Sequence, residues 1–226
     1  VLFRSNNEIE KILKNSLINK KVLHSYMFVG SKYTDKKNIA TKFAKHILCN
    51  SKKDRPCESC KSCIEMNSDN HPDFTMLELQ SAENSIKIEQ IRKMQEDIIK
   101  KPIISERKVY IINNSERMTV GAQNCLLKTL EEPPQYVTII LLVEDESLIL
   151  NTIKSRCTKI SFSEETVNDL TEEERELYIQ LEKVFANIDN YQLLDILNKF
   201  EVLYKNEKRI FEILEYINII LYKEIQ

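Results

Sequence analysis

Four cysteines between residues 49 and 63 have the type and the spacing of a metal site. The pattern C-x7-C-x2-C-x2-C is formed by Cys49, Cys57, Cys60 and Cys63. Zn²⁺ prefers four soft thiolates in a tetrahedron, and two residues between cysteines allow a tight turn to supply two ligands. The pattern predicts a structural zinc site. Four protein ligands leave no open position for water, so the metal would hold a loop and do no chemistry.

Disulfide bonds and free thiols are the alternatives to a metal at these cysteines. A thioredoxin-type redox pair is disfavoured, because its C-x-x-C belongs to a βαβ unit, whereas this cluster follows a predicted helix and a charged loop. The first residues lack a signal-peptide pattern, and no apolar run approaches the ~18 residues of a membrane helix. We expect a cytoplasmic protein without membrane contact, where reducing conditions favour metal over disulfides. His71 is expected to be a loop histidine, since four cysteines already complete the tetrahedron.

A glycine after a predicted strand begins a second candidate site. The phosphate-binding loop has the pattern G-x-x-x-x-G-K-[ST]. Gly30 and Lys36 match its first glycine and its lysine, but Asp35 stands at the second glycine and Lys37 at the hydroxyl residue. A carboxylate at Asp35 repels phosphate oxygens, and Lys37 cannot ligate Mg²⁺. The stretch predicts either a phosphate loop that has lost its nucleotide or an ordinary strand–helix turn.

The predicted strand 109–112 ends in two amides, Asn113 and Asn114. In nucleotide-hydrolysing P-loop proteins, an acidic residue at this point helps to hold Mg²⁺, and a glutamate often follows it and orients water. An amide accepts a hydrogen bond but brings no charge to the metal. We therefore expect that the chain binds no ATP and has no ATPase activity of its own.

Predicted strands and helices alternate up to residue 163. The apolar patterns predict strands at 26–29, 74–79, 109–112, 136–143 and 159–162, helices at 7–19, 36–48, 88–100 and 119–131, and a short helical turn before residue 155. Thr119 is the expected cap of the last long helix. This alternation predicts an α/β fold with a parallel sheet covered on both faces. Residues 164–226 predict an all-helical segment, with helices at about 171–187, 190–204 and 206–224.

Charged residues are distributed unevenly along the chain. It has 226 residues, a net charge of −2 and 30% charged residues. Basic residues outnumber acidic ones in residues 1–163, and the reverse holds in 164–226. The division suggests two modules. The excess of positive charge in the larger one suits phosphates, and a solvated charged surface explains it equally well.

Several motifs occur in one order along residues 6–163. They are His24-Ser25-Tyr26, the loop from Gly30, the four cysteines, the stretch from Asn124 to Pro134, and Ser155-Arg156-Cys157. In these motifs the chain resembles the bacterial clamp-loader subunits of DNA polymerase III, which are AAA+ proteins. The resemblance implies a P-loop/AAA+ sheet flanked by helices, with a zinc-binding insertion. Members of this family also carry a helical lid and a collar. Residues 164–226 are too few for both, so we expect a reduced lid or a truncated collar. A start at Val1 fits a fragment or a processed chain.

Two classes of subunit compete within this family. The gamma/tau motors have an intact phosphate loop and an acidic strand end, whereas the delta-prime class lacks both and keeps the arginine of Ser-Arg-Cys. The departures described above, together with Arg156, match the delta-prime class. The resemblance implies a non-catalytic stator of the polymerase holoenzyme that assembles with gamma/tau and delta subunits. Through the complex it would act on the sliding clamp and primed DNA.

The resemblance also implies that Arg156 is an arginine finger, which stabilises charge on ATP bound to the neighbouring subunit. Its spacing alone favours a simpler interpretation, in which Arg156 caps the preceding turn or pairs with a surface carboxylate. Two other functions remain open from the sequence. One is an ATP-hydrolysing gamma/tau-type subunit, and the other is a zinc-stabilised DNA-binding module.

Overall fold

A computed structural model describes residues 6–18, 21–31, 34–51, 55–79 and 84–162 of the chain. The three helices predicted between residues 171 and 224, and with them the division of the chain at residue 163, lie outside the described residues. Within the described ranges, no helix has the length and apolar character needed to cross a membrane.

Strands and helices alternate along the described part of the chain. The strands are β1 (Ser25–Val29), β2 (Phe74–Leu77), β3 (Lys108–Ile112), β4 (Val137–Val143) and β5 (Thr158–Ser161). The helices are α1 (Asn6–Ile18), α2 (Lys36–Leu48), α3 (Lys61–Asn67), α4 (Ile88–Ile98), α5 (Val120–Glu131) and α6 (Asn151–Lys154). All the elements predicted up to residue 163 are confirmed. Thr119 caps α5 as expected, because its side chain accepts the Ala122 N–H at 3.2 Å.

The five strands form one parallel sheet in the order β2-β3-β4-β1-β5. β3 and β4 are buried at every residue, as expected for central strands of a parallel sheet that is covered on both sides. In a parallel sheet, the carboxyl ends of all strands lie on the same side. The Gly30 loop, which follows β1, and the Asn113–Asn114 pair, which follows β3, therefore lie on the same side of the sheet, at the carboxyl ends of its strands.

Two apolar layers cover the sheet. Tyr110 of β3 belongs to the layer packed under α4 and α5. Its neighbour Ile111 belongs to the opposite layer, with Ile39 and Phe43 of α2 and Leu13 of α1. Successive residues of a strand face opposite sides, so one continuous apolar strand supplies both layers. The predicted sheet with helices on both faces is confirmed.

Helix α3 lies inside the cysteine segment and was not predicted from the sequence. It has only seven residues, too short for an apolar period to be recognised. Its N-cap is Cys60, whose sulfur accepts the Cys63 N–H at 3.4 Å. A thiol is not among the usual capping side chains, so the start of the helix carried no sequence signal.

Candidate functional sites

The four predicted ligand cysteines lie together. Their sulfur atoms are all within 4.8 Å of one another, and the Cys49 and Cys60 sulfurs are 4.0 Å apart. A tetrahedron with Zn–S bonds of about 2.3 Å places its sulfurs roughly 3.8 Å apart, so the cluster has the dimensions of a zinc site. All four cysteines are free thiols, and a disulfide would need an S–S distance of about 2.05 Å.

Secondary structure sets the position of these ligands. Cys49 is the C-cap of α2, Cys60 is the N-cap of α3, and Cys63 lies in the first turn of α3. The backbone N–H groups of Ser51 and Cys57 both donate to the Cys49 sulfur at 3.4 Å. Such donors favour the charged thiolate, which is the form that binds a metal.

The thiols of the cluster differ in acidity. Backbone N–H groups of Ser59 and Cys60 lower the pKa of Cys57 to about 6. Burial raises the pKa of Cys63 to about 12, and it also raises the pKa of Cys49. Buried thiolates need a nearby cation, and a bound Zn²⁺ would supply that charge. The donor set and its dimensions therefore fit a structural zinc ion held by four cysteines.

His71 lies outside the cysteine cluster, as expected, but it is more than an ordinary loop residue. Its side chain is buried, its Nδ1 accepts the Asp73 N–H at 3.0 Å, and its Nε2 lies 2.9 Å from the Ser62 hydroxyl. The acceptor role of Nδ1 places the proton of the neutral ring on Nε2. Burial lowers the pKa of His71, against the opposing attraction of Asp73 and Glu65.

This histidine gives a pH prediction. The unfolded chain takes up a proton near the ordinary histidine pKa of about 6.5, whereas the folded chain does so only at lower pH. Stability is therefore expected to fall as the pH is lowered below about 6.5. His71→Asn should make the melting temperature less dependent on pH between about 7.5 and 5.5, and His24→Asn, at an exposed histidine, should not. Equal pH dependence of the wild type and His71→Asn would contradict this role.

The loop that follows β1 depends on its glycine. A Cβ atom at Gly30 would lie 2.6 Å from the Thr34 hydroxyl oxygen and 2.9 Å from Cβ of Phe162, which is closer than atoms can pack. Lys36, the residue that matches the phosphate-binding lysine, is buried, and its Nζ donates to the Ser31 carbonyl at 2.6 Å. Burial lowers the pKa of Lys36, while the charges of Glu144 and Glu116 act in the opposite direction.

Glu78 contacts both segments of the candidate nucleotide site, the loop after β1 and the end of β3. It was not predicted from the sequence as a residue of this site. Its carboxylate pairs with Lys37 Nζ at 2.7 Å and accepts from the Asn113 amide at 3.3 Å. The Lys37–Glu78 pair is exposed, so it contributes little to stability. Glu78 directly follows the edge strand β2, and only the strand order places it beside β3.

Both amides at the end of β3 take part in the turn that follows the strand. The Asn113 side-chain oxygen accepts the Asn114 N–H at 3.1 Å. Asn114 has a left-handed backbone, with φ 49° and ψ 50°, which asparagine adopts more readily than most residues. Two asparagines therefore suit the local backbone at the position where a motor ATPase has acidic residues.

Arg156 follows α6 near the end of the described chain. Its guanidinium donates to the Thr152 carbonyl at 2.9 Å and pairs with the Glu131 carboxylate at 2.8 Å. These are the contacts of the simpler interpretation, a turn cap and a carboxylate partner. Its backbone carbonyl accepts the Ser25 hydroxyl at 2.7 Å, which ties this segment to β1. The role of Arg156 as an arginine finger remains a prediction.

The fold of the described residues is similar to that of a solved protein structure. A DNA polymerase III gamma subunit-related protein from Thermotoga maritima matches the fold with a TM-score of 0.51 at 20% identity, over 87% of this chain and 57% of that one. This likeness shows that the two proteins share a fold, a parallel sheet with helices on both faces. Residues 5–166 match the family described as DNA polymerase III, delta subunit, and the chain belongs to this family.

Two relatives from Bacillus subtilis (strain 168) are similar to the chain at nearly the same level. DNA polymerase III subunit delta' is 37% identical over 166 residues, which are 72% of this chain and 50% of the relative. DNA polymerase III subunit tau is 36% identical over 155 residues, which are 68% of this chain and 27% of the relative. The chain thus spans half or less of their length. Identities this close do not separate the two classes of subunit.

Proposed function

We propose that the chain is a delta-prime-type stator of the DNA polymerase III clamp loader, without ATPase activity of its own. The observation that carries the proposal is the end of the Gly30 loop, where Asp35 replaces the second glycine of the phosphate-binding pattern and Lys37 replaces its hydroxyl residue. Lys37, bonded to Glu78, stands where a motor has the Mg²⁺-binding hydroxyl. The partners that follow are gamma/tau and delta subunits, with the sliding clamp and primed DNA reached through the complex.

In this proposal Arg156 acts on ATP bound to the adjacent gamma/tau subunit. A planar, permanent cation suits the charge on a transferring phosphoryl group. The Glu131 contact is no obstacle, because the Glu131 side chain is half exposed and a surface ion pair contributes only about 0–1 kcal/mol. A triphosphate carries more charge than one carboxylate and would displace it. The four cysteines are proposed to hold one structural Zn²⁺ and take no part in this chemistry.

Arg156→Ala tests the stator role. We expect the DNA-stimulated ATPase of a gamma/tau-type partner to fall several-fold in the mixture, because only the site that faces this subunit loses its cation. Glu131→Ala is the matched control, since it breaks the same ion pair and keeps the arginine. The control should retain the wild-type rate. Equal losses in both variants would mean that the pair is structural, and the finger role would be wrong.

The similarity to subunit tau supports a second candidate, an ATP-hydrolysing gamma/tau-type subunit. The two functions differ in nucleotide binding by the isolated chain. The stator should have no measurable affinity for ATP with Mg²⁺ in titration calorimetry. Binding should require at least Asp35→Gly together with Lys37→Thr, which restore the loop pattern. Tight binding with turnover by the unaltered chain would favour the second candidate.

A further inference from the structure

We propose that zinc binding at the cysteines and the backbone conformation of residues 103–105 are energetically coupled. The connection is a polar group, here called the hydroxyl cluster, which consists of the buried side chains of Ser62 and His71, the partly buried side chain of Ser105, and the carbonyl of Leu48. The inference rests on the proposed zinc site, and it is independent of the proposed role in a clamp loader.

One side of the hydroxyl cluster is attached to the metal ligands. Ser62 lies between Cys60 and Cys63, is 0% exposed, and donates from its hydroxyl to the Leu48 carbonyl at 2.8 Å. Leu48 immediately precedes Cys49. Each end of this hydrogen bond is therefore one residue away from a ligand. A metal that fixes these cysteines also fixes the bond between the end of α2 and the start of α3.

The other side is attached to the segment that leads into β3. The Ser105 hydroxyl donates to the same Leu48 carbonyl at 2.8 Å and lies 3.2 Å from the Ser62 hydroxyl. The backbone N–H groups at residues 103–105 donate to the Asp73 carboxylate at 2.7, 2.7 and 2.8 Å. Asp73 is 2% exposed, so this carboxylate holds the segment from inside the protein.

His71 connects the two sides. Its Nε2 lies 2.9 Å from the Ser62 hydroxyl and 3.2 Å from the Ser105 hydroxyl, and its Nδ1 accepts the Asp73 N–H. Because Ser62 and His71 are buried, water cannot readily replace a bond that is lost. A displacement on one side therefore costs free energy on the other, which is the condition for coupling between two sites.

Removal of zinc is expected to act through this connection. Without the metal, the ends of α2 and α3 are no longer joined through the cysteines, and the Ser62–Leu48 bond loses its support. Coupling is reciprocal, so a weakened segment 103–105 should also weaken zinc binding. Residues that support metal ligands from outside the coordination sphere commonly change affinity by 10–100-fold.

The first test is hydrogen exchange of the full chain with and without a zinc chelator. We expect the amides of Ile103, Ile104 and Ser105 to exchange at least about tenfold faster after chelation, while the central strand β4 stays protected. Unchanged exchange at these amides would overturn the proposal. Loss of protection throughout β4 would also overturn it, because the effect would then be general unfolding and not a specific connection.

The second test is the zinc affinity of Ser105→Ala, measured by competition with a chelator. We expect affinity to fall about tenfold, although Ser105 is distant in sequence from every ligand. Ser115→Ala is the matched control, because the Ser115 hydroxyl likewise donates to a backbone carbonyl, that of Ile112 at 2.7 Å, and lies outside the hydroxyl cluster. The control should bind zinc as the wild type does.

The outcomes separate this inference from the metal proposal. Equal affinities of Ser105→Ala and Ser115→Ala, with zinc bound to both, would overturn the coupling and leave the zinc site intact. A wild-type chain that holds no zinc would overturn both. If Ser105→Ala does not fold, the exchange experiment on the wild type decides the question, since it needs no variant.

Discussion

Cys63→Ser is expected to weaken zinc binding by roughly 100- to 1,000-fold. Cys63 is 0% exposed and is one of four sulfurs that lie within 4.8 Å of one another. Structural zinc binds peptides with about 10–16 kcal/mol, so one ligand in four corresponds to about 2.5–4 kcal/mol. The first turn of α3 should also loosen, because Cys63 lies in that turn and its sulfur would no longer be held by a metal.

The measurement is the zinc released per chain on denaturation, together with affinity from chelator competition. The wild type should release about one ion per chain, as a single four-ligand site requires. Cys125→Ser is the control, because Cys125 lies outside the cluster and its thiol donates to the Gln95 side chain at 3.2 Å. Undiminished zinc affinity in Cys63→Ser would show that the cluster is not the metal site.

Asp73→Ala is expected to cause the largest loss of stability of any single substitution considered. Its buried carboxylate accepts three backbone N–H groups, and alanine leaves all three without their acceptor. Hydrogen bonds to charged groups contribute about 1.5–3 kcal/mol each. Since Ile103 is exposed and its N–H can regain water, we expect a loss of about 3–5 kcal/mol.

Thermal unfolding measures this effect. In a chain of this size, 1 kcal/mol corresponds to about 2–4 °C, so the melting temperature should fall by roughly 6–20 °C. Asp145→Ala is the matched control: its exposed carboxylate accepts the Ser147 N–H at 2.8 Å at the start of a short turn, and its loss should cost about 1 kcal/mol. Similar melting temperatures for the two variants would contradict the supporting role of Asp73.

The patterns that predicted elements correctly are local. β4 reads as seven consecutive apolar or β-branched residues, and α5 combines an apolar period with a hydroxyl cap, so each was visible in its own stretch of sequence. α3 could not be recognised from its own stretch of sequence, because it has only seven residues and is capped by a thiol. It begins among the cysteines of the cluster, and cysteine spacing is not a periodic signal for a helix.

For the candidate sites too, some contacts were predicted from nearby residues in the sequence and others were not. Cysteine spacing predicted which four sulfurs would meet, since three of them are close in sequence and the fourth ends the preceding helix. The Lys36 contact with the Ser31 carbonyl was not predicted, because side-chain direction depends on burial. For Arg156, spacing favoured a turn cap or a carboxylate partner, and the structure contains both contacts.

The sequence alone determined the α/β class of the described region, the likeness to clamp loaders and the set of four cysteines, because these follow from residue type and from spacing along the chain. The tertiary structure decided that Glu78 meets Lys37 and Asn113, and that Asp73 holds the backbone about thirty residues further on. Both contacts join stretches that are far apart in sequence. They exist because β2 lies at the edge of the sheet beside β3, and strand order is a property of the packed sheet that no single stretch encodes.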